Sequence, residues 1–417
     1  MKVVIVQHTS FLNSTGGTEK IACFIANNLI QKGCEVTIAT NDENISGKPM
    51  FYLNPKVTID NLFNAATIQE ELITLFNYKG NNLFLWLYYK LKKKRDKIYN
   101  KKVLKKHGGV EGIYTHNLKE RATLWKNYLN DVKPNVIITM SISSLVEITF
   151  GNKLQFPILN SVNGRPDYDY TDLLWYRSEI EMRLLQEAYA HLSGIQVLFD
   201  SYKAFLPTTF CSEAMTIPNP VLQIDANKVV DHEKVKKVYK IINIASLNSS
   251  CKQQDVAIHI FSKIAATYPN WNLEFWGVGN DLAILEEQVA QLQLENRIFF
   301  KGFTPEPLEK LKEADIFLFP SKYEGFPLAL TEAMAVGLPV IGFQSCSGVN
   351  ELIQNEHNGF LANDITDMQH KLEELIQNSE LRKKMGLMGH ESVKKYTEEA
   401  VFEKWFHFIT QLNEKQN

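Results

Sequence analysis

The chain opens with a short apolar run, a polar loop that contains glycines, and then a segment with helical spacing. KVVIV is followed by NSTGGTE, and apolar residues then recur on one helix face at Ile21, Phe24, Ile25 and Leu29. Gly33 lies where a helix C-terminal glycine belongs, and a second apolar run, EVTIAT, follows it. This order predicts a strand, a glycine loop, a helix and a second strand, which is how a parallel α/β sheet begins.

The second half of the chain alternates between strand and helix patterns with greater regularity. Strands are predicted at IINIASL, NLEFWG, RIFFKG, DIFLFP and PVIGF, each followed by a helical pattern or loop. In the first half, VIITMS, PILNSV and IQVLFDS have the same character. Apolar strands separated by helices are typical of a parallel sheet covered on both faces.

We therefore predict two Rossmann-like, doubly wound α/β domains that face each other across a cleft. The first is expected over residues 1–207 and the second over residues 208–395, with IPNPV near the connection between them. Residues 396–417 carry a final helix, which is expected to return to the first domain.

Composition agrees with two soluble globular domains. The 417 residues are 45% hydrophobic and carry a net charge of −2, and this length suits two domains of roughly 200 residues each. The opening apolar run is too short for a signal peptide, and no stretch approaches the roughly 18 apolar residues of a membrane span. The five cysteines are scattered, which argues against a disulfide framework. We expect a cytoplasmic protein.

The loop after DIFLFP contains the richest candidate chemistry. Glu324 lies in the loop, residues Phe326 to Leu328 are predicted to open a helix, and Glu332 lies about 8 Å along its axis. Ligands of open α/β sheets bind beyond the carboxyl ends of the strands, and the free amides at a helix start suit a diphosphate. Glu324 would then hold sugar hydroxyls and Glu332 ribose hydroxyls. The alternative is that both are surface charges.

These motifs in combination resemble the retaining glycosyltransferases of family 4, which have the GT-B fold. The stretch from Ile241 to Ala362 is similar to their donor domain, with an E-x7-E motif at Glu324 and Glu332, then GLPVIGF, and NELIQNEHNGFLA at its end. IPNPV resembles their hinge, FWGVGND their glycine turn and NSTGGTE their amino-terminal glycine loop. The resemblance covers most of the chain and is strongest in its second half.

The resemblance implies a reaction and a set of site residues. A hexose or N-acetylhexosamine would pass, with retention and without a metal or other cofactor, from a UDP-sugar to a glycan or lipid-linked acceptor in cell-surface polysaccharide or glycoconjugate synthesis. The second domain would bind the donor and the first the acceptor. The departing phosphate would take the acceptor's proton, so the protein would stabilise charge on the diphosphate. The implied catalytic residues are Glu324, Lys252 and Asn163, and the implied donor contacts are Gly16, Gly17, Ser246, Lys252, Gly277, Glu324, Gly325, Phe326, Pro327, Leu328 and Glu332.

Two positions depart from the family pattern. Lys252 matches the family's phosphate-binding lysine, although a solvated loop lysine is the alternative, but Ser246 replaces the usual arginine before it. Arg165 is one candidate to supply the missing charge. Asn163 replaces a frequent histidine and cannot accept a proton. These departures leave open an inactive transferase-like partner or glycan-binding protein. A nucleotide-sugar epimerase of similar fold explains the E-x7-E motif less well.

Three further features bear on metals and partners. Asp167-Tyr168-Asp169 has the D-x-D spacing of a metal motif but does not follow a nucleotide-binding strand, and His116 stands alone, so we predict no bound metal. The segment from Lys90 to Lys106 is strongly basic and follows LFLWLYY. Aromatic residues beside a basic helix suit an anionic membrane surface, which favours a peripheral protein at the inner face of the cell membrane. The alternative is a solvated helix with one packed side. The sequence has no pattern of a nucleic-acid-binding module.

Overall fold

The computed structural model describes residues 1–14, 16–43, 46–64, 69–174 and 176–415, and these form two parallel sheets, one in each half of the chain. The strand order is β3-β2-β1-β4-β5-β6-β7 in the first sheet and β10-β9-β8-β11-β12-β13 in the second. The strands are β1 Lys2–Val6, β2 Glu35–Thr40, β3 Thr58–Asn61, β4 Val136–Thr139, β5 Ile158–Ser161, β6 Gly194–Val197, β7 Glu213–Thr216, β8 Tyr239–Ile244, β9 Trp271–Trp276, β10 Ile298–Phe300, β11 Ile316–Phe319, β12 Val340–Phe343 and β13 Phe360–Ala362.

Helices connect the strands and cover both faces of each sheet, as parallel pairing requires. The α-helices are α1 Gly17–Gln31, α2 Leu83–His107, α3 Val110–Val132, α4 Ile142–Thr149, α5 Asp167–Tyr170, α6 Glu179–Ala188, α7 Ser249–Lys252, α8 Gln254–Ile264, α9 Leu282–Gln291, α10 Pro307–Lys312, α11 Leu328–Ala335, α12 Val349–Leu352, α13 Ile365–Gln377, α14 Ser379–Val393 and α15 Glu398–Glu414. Short 3-10 turns lie at Asp172–Leu174, Tyr189–His191, Asp200–Phe205, Ala226–Lys228 and Lys394–Tyr396.

The two strand orders confirm the predicted pair of Rossmann-like domains. In each sheet the chain runs outward from the central strand to one edge, crosses back and continues to the other edge, which is the doubly wound arrangement. The carboxyl ends of β1 and β4, and those of β8 and β11, therefore lie beside the crossover point of their sheet. Open α/β proteins bind ligands at this position.

The first sheet extends beyond the predicted boundary at residue 207. β7 lies at Glu213–Thr216 and pairs with β6, so the connection between the sheets begins after Thr216. The prediction ended the first domain too early because β7 is a short, half-buried edge strand without a continuous apolar run.

The last helix, α15, packs on the first domain. Its buried residues Trp405 and Phe408 join the same core as Val3 and Ile5 of β1. A Cβ on Gly194 of β6 would lie 2.7 Å from the Phe408 ring, so the helix lies directly against the sheet. The chain thus crosses from the second domain back to the first before it ends.

Among the described residues, no helix combines the length and the apolar character needed to cross a bilayer.

Candidate active site

A cleft of about 310 Å³ lies between the two domains at the carboxyl ends of their strands. The first domain contributes residues that follow β4 and β5, and the second contributes residues that follow β8 and β11. The polar side chains of its wall are Ser141, Asn160, Ser161, Asn163, Arg165, Tyr168, Asp169, Lys252, Tyr323 and Glu324. Two of the three implied catalytic residues, Lys252 after β8 and Glu324 after β11, lie together on the second-domain side of the cleft. The third, Asn163, lies on the first-domain side.

Lys252 and Glu324 form an ion pair on the second-domain side of the cleft. The Lys252 Nζ atom donates to Glu324 Oε1 at 2.7 Å, and only 22% and 10% of the two side chains are exposed. Burial alone would lower the pKa of Lys252, but the charge and the hydrogen bond of Glu324, together with the nearby Cys251 and Cys346 thiols, raise the pKa overall. The lysine is therefore a cation at neutral pH, and a phosphate group could compete with Glu324 for it.

The thiols beside this pair are neutral at physiological pH. Burial raises the pKa of Cys251 and, more strongly, that of Cys346, with the charge of Glu324 adding to both shifts. Neither is therefore an activated nucleophile.

Helix α11 begins beside Glu324. It starts at Leu328, the last of the three residues predicted to open it, and Pro327 before it is in the extended conformation. The first amides of the helix have no partner inside it and are available to an anion. The ring of Phe326 is buried and stacks on Phe199 of the first domain at 5.5 Å, so this side chain faces the domain contact and not the cleft.

Glu332, within α11, is paired with a residue of the first domain and is not among the residues that line the cleft. Its Oε1 accepts from Lys20 Nζ of α1 at 2.8 Å. The start of α1 also contacts α11 directly, because a Cβ on Gly17 would lie 3.4 Å from the Leu328 side chain. Gly16 is the residue just before α1. The glycine loop after β1 therefore lies against the helix expected to bind the donor.

The loop at Gly325 touches the first domain so closely that a side chain would not fit. A Cβ there would lie 1.9 Å from the backbone oxygen of Asn163. The Tyr202 hydroxyl donates to the Gly325 carbonyl oxygen at 3.1 Å and accepts from the Ser347 hydroxyl at 2.9 Å. This contact joins the two walls of the cleft.

On the first-domain wall, most polar groups already have partners. The Asn163 amide donates to the backbone oxygen of Met140. Arg165 pairs with both oxygens of Asp167, at 2.7 and 2.9 Å, and lies over the Tyr168 and Phe205 rings. Its charge is balanced by Asp167, so Arg165 is a poor substitute for the arginine missing at Ser246.

The D-x-D carboxylates are both paired with arginines. Asp167 binds Arg165, and Asp169 accepts from Arg177 at 2.9 Å. Burial raises the pKa of Asp169 to about 6, although Arg177 partly opposes the shift. Within the described part of the chain, no group of three or more His, Cys, Asp or Glu residues is arranged to hold a metal ion.

Three other predicted residues lie apart from this wall. Ser246 is exposed after β8, and its carbonyl oxygen accepts from Gln254 at 2.8 Å. Gly277, after β9, has a positive φ of 145°, and a Cβ there would collide with the Ala245 oxygen. His116 of α3 packs its ring against His107, 4.5 Å away, within the pair of helices formed by α2 and α3.

Two groups near the cleft were not predicted from the sequence. Lys20 directly follows the glycine loop, but its spacing from that loop does not predict its cross-domain pairing. His8 follows β1, and its Nδ1 atom lies 2.9 Å from the Ser144 hydroxyl, which is 3.1 Å from the hydroxyl of Ser141 on the cleft wall. Burial lowers the pKa of His8, so its ring is neutral. His8 could have been predicted as a candidate, because it follows the central strand β1 and ligands bind beyond the carboxyl ends of such strands.

The chain is similar in sequence to known glycosyltransferases. Residues 225–391 match the family model of the glycosyl transferases group 1, and this segment contains Lys252, Glu324 and Glu332. An uncharacterised glycosyltransferase of Haemophilus influenzae is 25% identical over 406 residues, which is 94% of this chain and 96% of that protein. The poly(ribitol-phosphate) α-N-acetylglucosaminyltransferase of Staphylococcus aureus is 26% identical over 222 residues, covering 52% of this chain and 44% of that protein.

A solved structure agrees over the whole chain. A mutant of TarM from S. aureus, in complex with fondaparinux, α-GlcNAc-glycerol and UDP, superposes with a TM-score of 0.70 at 15% identity and covers 98% of this chain and 99% of that one. At this identity the likeness concerns the fold, and it confirms the predicted GT-B architecture. The matched segment, the full-length relative and the fold together support a glycosyltransferase of GT-B fold.

Proposed function

We propose that this protein is a retaining, metal-independent glycosyltransferase. It would move a hexose or N-acetylhexosamine from a UDP-sugar to a glycan or lipid-linked acceptor in the synthesis of cell-surface polysaccharide, on the cytoplasmic side of the membrane. The observation that carries the proposal is the buried pair of Lys252 and Glu324 beside the free amides at the start of α11. This is a cation and a set of N–H donors positioned to bind a diphosphate next to a carboxylate that can bind sugar hydroxyls.

Charge stabilisation on the leaving diphosphate would be the protein's main contribution. In this proposal the α11 amides and Lys252 bind the phosphates, Glu324 binds the sugar and Glu332 the ribose. Hydrogen-bond donors fixed in a largely buried site act most strongly where charge develops, and removing one typically costs 100- to 1,000-fold in kcat. Asn163 would contact substrate through its amide and take no proton.

We infer that Lys20 supplies the second positive charge that Ser246 does not. Lys20 Nζ lies 2.8 Å from Glu332 of α11, the helix proposed to bind the donor, whereas Arg165 is paired with Asp167. Binding of the ribose hydroxyls by Glu332 would free Lys20 to approach the phosphates. A lysine suits this exchange because its ammonium acts as a point charge on a flexible stem.

The relatives support the choice of substrates. The S. aureus relative is by name an α-N-acetylglucosaminyltransferase that acts on poly(ribitol-phosphate), and the TarM structure contains UDP and α-GlcNAc-glycerol. These proteins suggest a UDP-sugar donor, an α-linked product and a polymeric surface acceptor for this chain.

Donor binding and turnover test the proposal together. The purified protein is screened by thermal shift against UDP, GDP and ADP and their sugar conjugates, and donor hydrolysis is followed with each. We expect stabilisation by a uridine nucleotide and slow release of UDP, both reduced in Lys252→Ala and Glu332→Ala, because a ligand of the native state raises its stability. Glu306→Ala, on the surface of the same domain, serves as the matched control. Absence of any shift at concentrations far above usual affinities would contradict the proposal.

A second candidate function is a transferase-like protein without activity, which binds a partner enzyme or a glycan. Ser246 and Asn163 favour it, because both replace residues that the family uses. Donor hydrolysis above that of Glu332→Ala excludes this alternative. Release of an epimerised donor without any acceptor would instead favour an epimerase.

A further inference from the structure

The first turns of helix α2 project from the first domain. Every residue from Leu83 to Tyr88 is exposed, from 43% for Trp86 to 85% for Phe84. Consecutive helical residues point in directions 100° apart, so these six residues expose apolar surface on all sides of the helix start. The second half of α2 is held differently: Val103 is buried and His107 packs on α3. We call Leu83–Tyr89 the apolar tip.

The apolar tip is an ordered structure. The extended segment before α2 runs back along the helix, where the Ile73 amide donates to Asn100 Oδ1 and Asn100 donates to the Ile73 oxygen, both at 2.9 Å. Nearer the tip, the Tyr78 ring stacks on Tyr89 at 5.5 Å. The Asn82 side chain accepts from the amides of Phe84 and Leu85, so two of the open donors at the helix start are satisfied.

Basic residues follow the apolar tip directly. They form what we call the basic collar: Lys90, Lys92, Lys93, Lys94 and Arg95. The single acidic residue of α2, Asp96, is buried and lies 3.7 Å from Arg95. Among the described residues, no carboxylate forms an ion pair with any of the four collar lysines. The collar therefore keeps most of its positive charge exposed.

The apolar and basic residues are separated along the helix axis and not around it. A helix that lies flat on a membrane carries an apolar stripe on one side, whereas the apolar tip is apolar on all sides. At a rise of 1.5 Å per residue the tip is about 10 Å long. This matches the depth of about 5–10 Å to which apolar groups enter the boundary between headgroups and acyl chains.

We propose that α2 inserts end-on into an anionic lipid surface, with the apolar tip among the acyl chains and the basic collar at the phosphate groups. Charge complementarity selects this occupant over a second copy of the chain, because a dimer formed through the tip would bring two positively charged collars together. The inference is independent of the proposed transferase activity and would place the cleft beside a membrane.

Vesicle binding tests the proposal. The full-length protein is sedimented with vesicles of phosphatidylcholine alone or with 30 mol% phosphatidylglycerol, at about 0.1 M salt. We expect binding to the anionic vesicles only. Each Lys→Gln change in the collar should weaken binding about fivefold, since one basic residue near the surface contributes on the order of 1 kcal/mol. The variant Phe84→Ser/Leu87→Ser should lose binding, whereas Val235→Ser, an equally exposed apolar site in the second domain, should not.

The depth of the tip gives a second readout. In a Trp175→Phe background, lipids brominated on the acyl chains should quench part of the tryptophan fluorescence. The further change Trp86→Phe should remove this quenching, because Trp125, Trp271 and Trp405 are buried and Trp276 is half-buried in β9 of the second domain. Several outcomes would overturn the proposal: no vesicle binding, equal binding to neutral vesicles, quenching that survives Trp86→Phe, or a solution dimer that is abolished by the tip substitutions. Transfer to a soluble acceptor should be unchanged in the tip variants, so the two proposals fail separately.

Discussion

At the scale of single residues, the proposed function gives the pair of Lys252 and Glu324 two separable roles, one in stability and one in catalysis. Lys252→Ala leaves the Glu324 carboxylate largely buried without its cation, which should cost on the order of 3 kcal/mol of stability and more than 100-fold in kcat. Lys252→Met/Glu324→Gln removes both charges and should recover most of the stability but none of the activity. Urea unfolding and donor hydrolysis measure the two effects. Activity retained in the double variant would show that the pair is only structural.

Asp169, on the first-domain wall of the cleft, offers a test of how stability depends on pH. Burial raises its pKa from 3.8 to about 6, so the folded state holds a proton that the unfolded state has released. The contribution of this group to stability is therefore greatest in acid and is lost as pH rises from about 4 to 6. We expect Asp169→Asn to remove this decrease in the free energy of unfolding, which amounts to at most about 3 kcal/mol. Urea unfolding at pH 4, 5, 6 and 7 checks it, and parallel pH profiles of wild type and variant would contradict it.

At the scale of elements, a substitution at the start of α1 can distinguish a role in donor binding from a role in packing. A Cβ on Gly17 would make only an ordinary contact with Leu328, at 3.4 Å, so Gly17→Ala should leave the melting temperature within about 2 °C of wild type. If the donor phosphates pass close to this backbone, as glycine permits, the same change should raise the donor KM at least tenfold. Thermal unfolding and steady-state kinetics together distinguish the two roles, and an unchanged KM would place the donor elsewhere.

The elements also show which parts of the fold could be predicted. Interior strands such as β11 and β12 are buried along their whole length and are apolar throughout, so a strand is easily predicted from their sequence. β3 and β7 are edge strands at the two ends of the first sheet and are half-buried, so TIDN and EAMT carry no apolar run. β13 is only three residues long. Short or edge strands owe their conformation to pairing and not to local sequence.

The candidate site likewise contains residues that could be predicted from local sequence and contacts that could not. The loops with Lys252 and Glu324 could be predicted because each follows a recognisable strand and matches a family motif. The pairing of Lys20 with Glu332 joins residues 312 positions apart, and no local spacing encodes it. The neutralisation of Arg165 by Asp167 was equally hidden, although the two are close in sequence, because it depends on side-chain conformation. Contacts between domains cannot be predicted from local sequence and become apparent only in the structure.

At the scale of the whole molecule, the cleft depends on how closely the two domains approach. Gly325→Ala places a methyl group 1.9 Å from the Asn163 oxygen, and backbone on both sides leaves little room for adjustment. The domains should therefore separate at this edge, and kcat/KM should fall on the order of 100-fold, because displacement of reacting groups by about 1 Å has effects of that size. Small-angle scattering should show a larger radius of gyration.

Gly33→Ala is the matched control for this change. Gly33 has a positive φ of 78°, and a Cβ there would meet no atom within 4 Å, so alanine strains the end of α1 without touching the cleft. It should lower the melting temperature while leaving the scattering profile and the kinetics per folded molecule unchanged. If Gly325→Ala behaves in the same way, the contact at Gly325 contributes only stability. If Gly325→Ala alone opens the molecule and slows transfer, the close approach of the domains at Gly325 is a requirement of the reaction, and the Tyr202 hydroxyl bonded to Gly325 becomes part of the mechanism of closure.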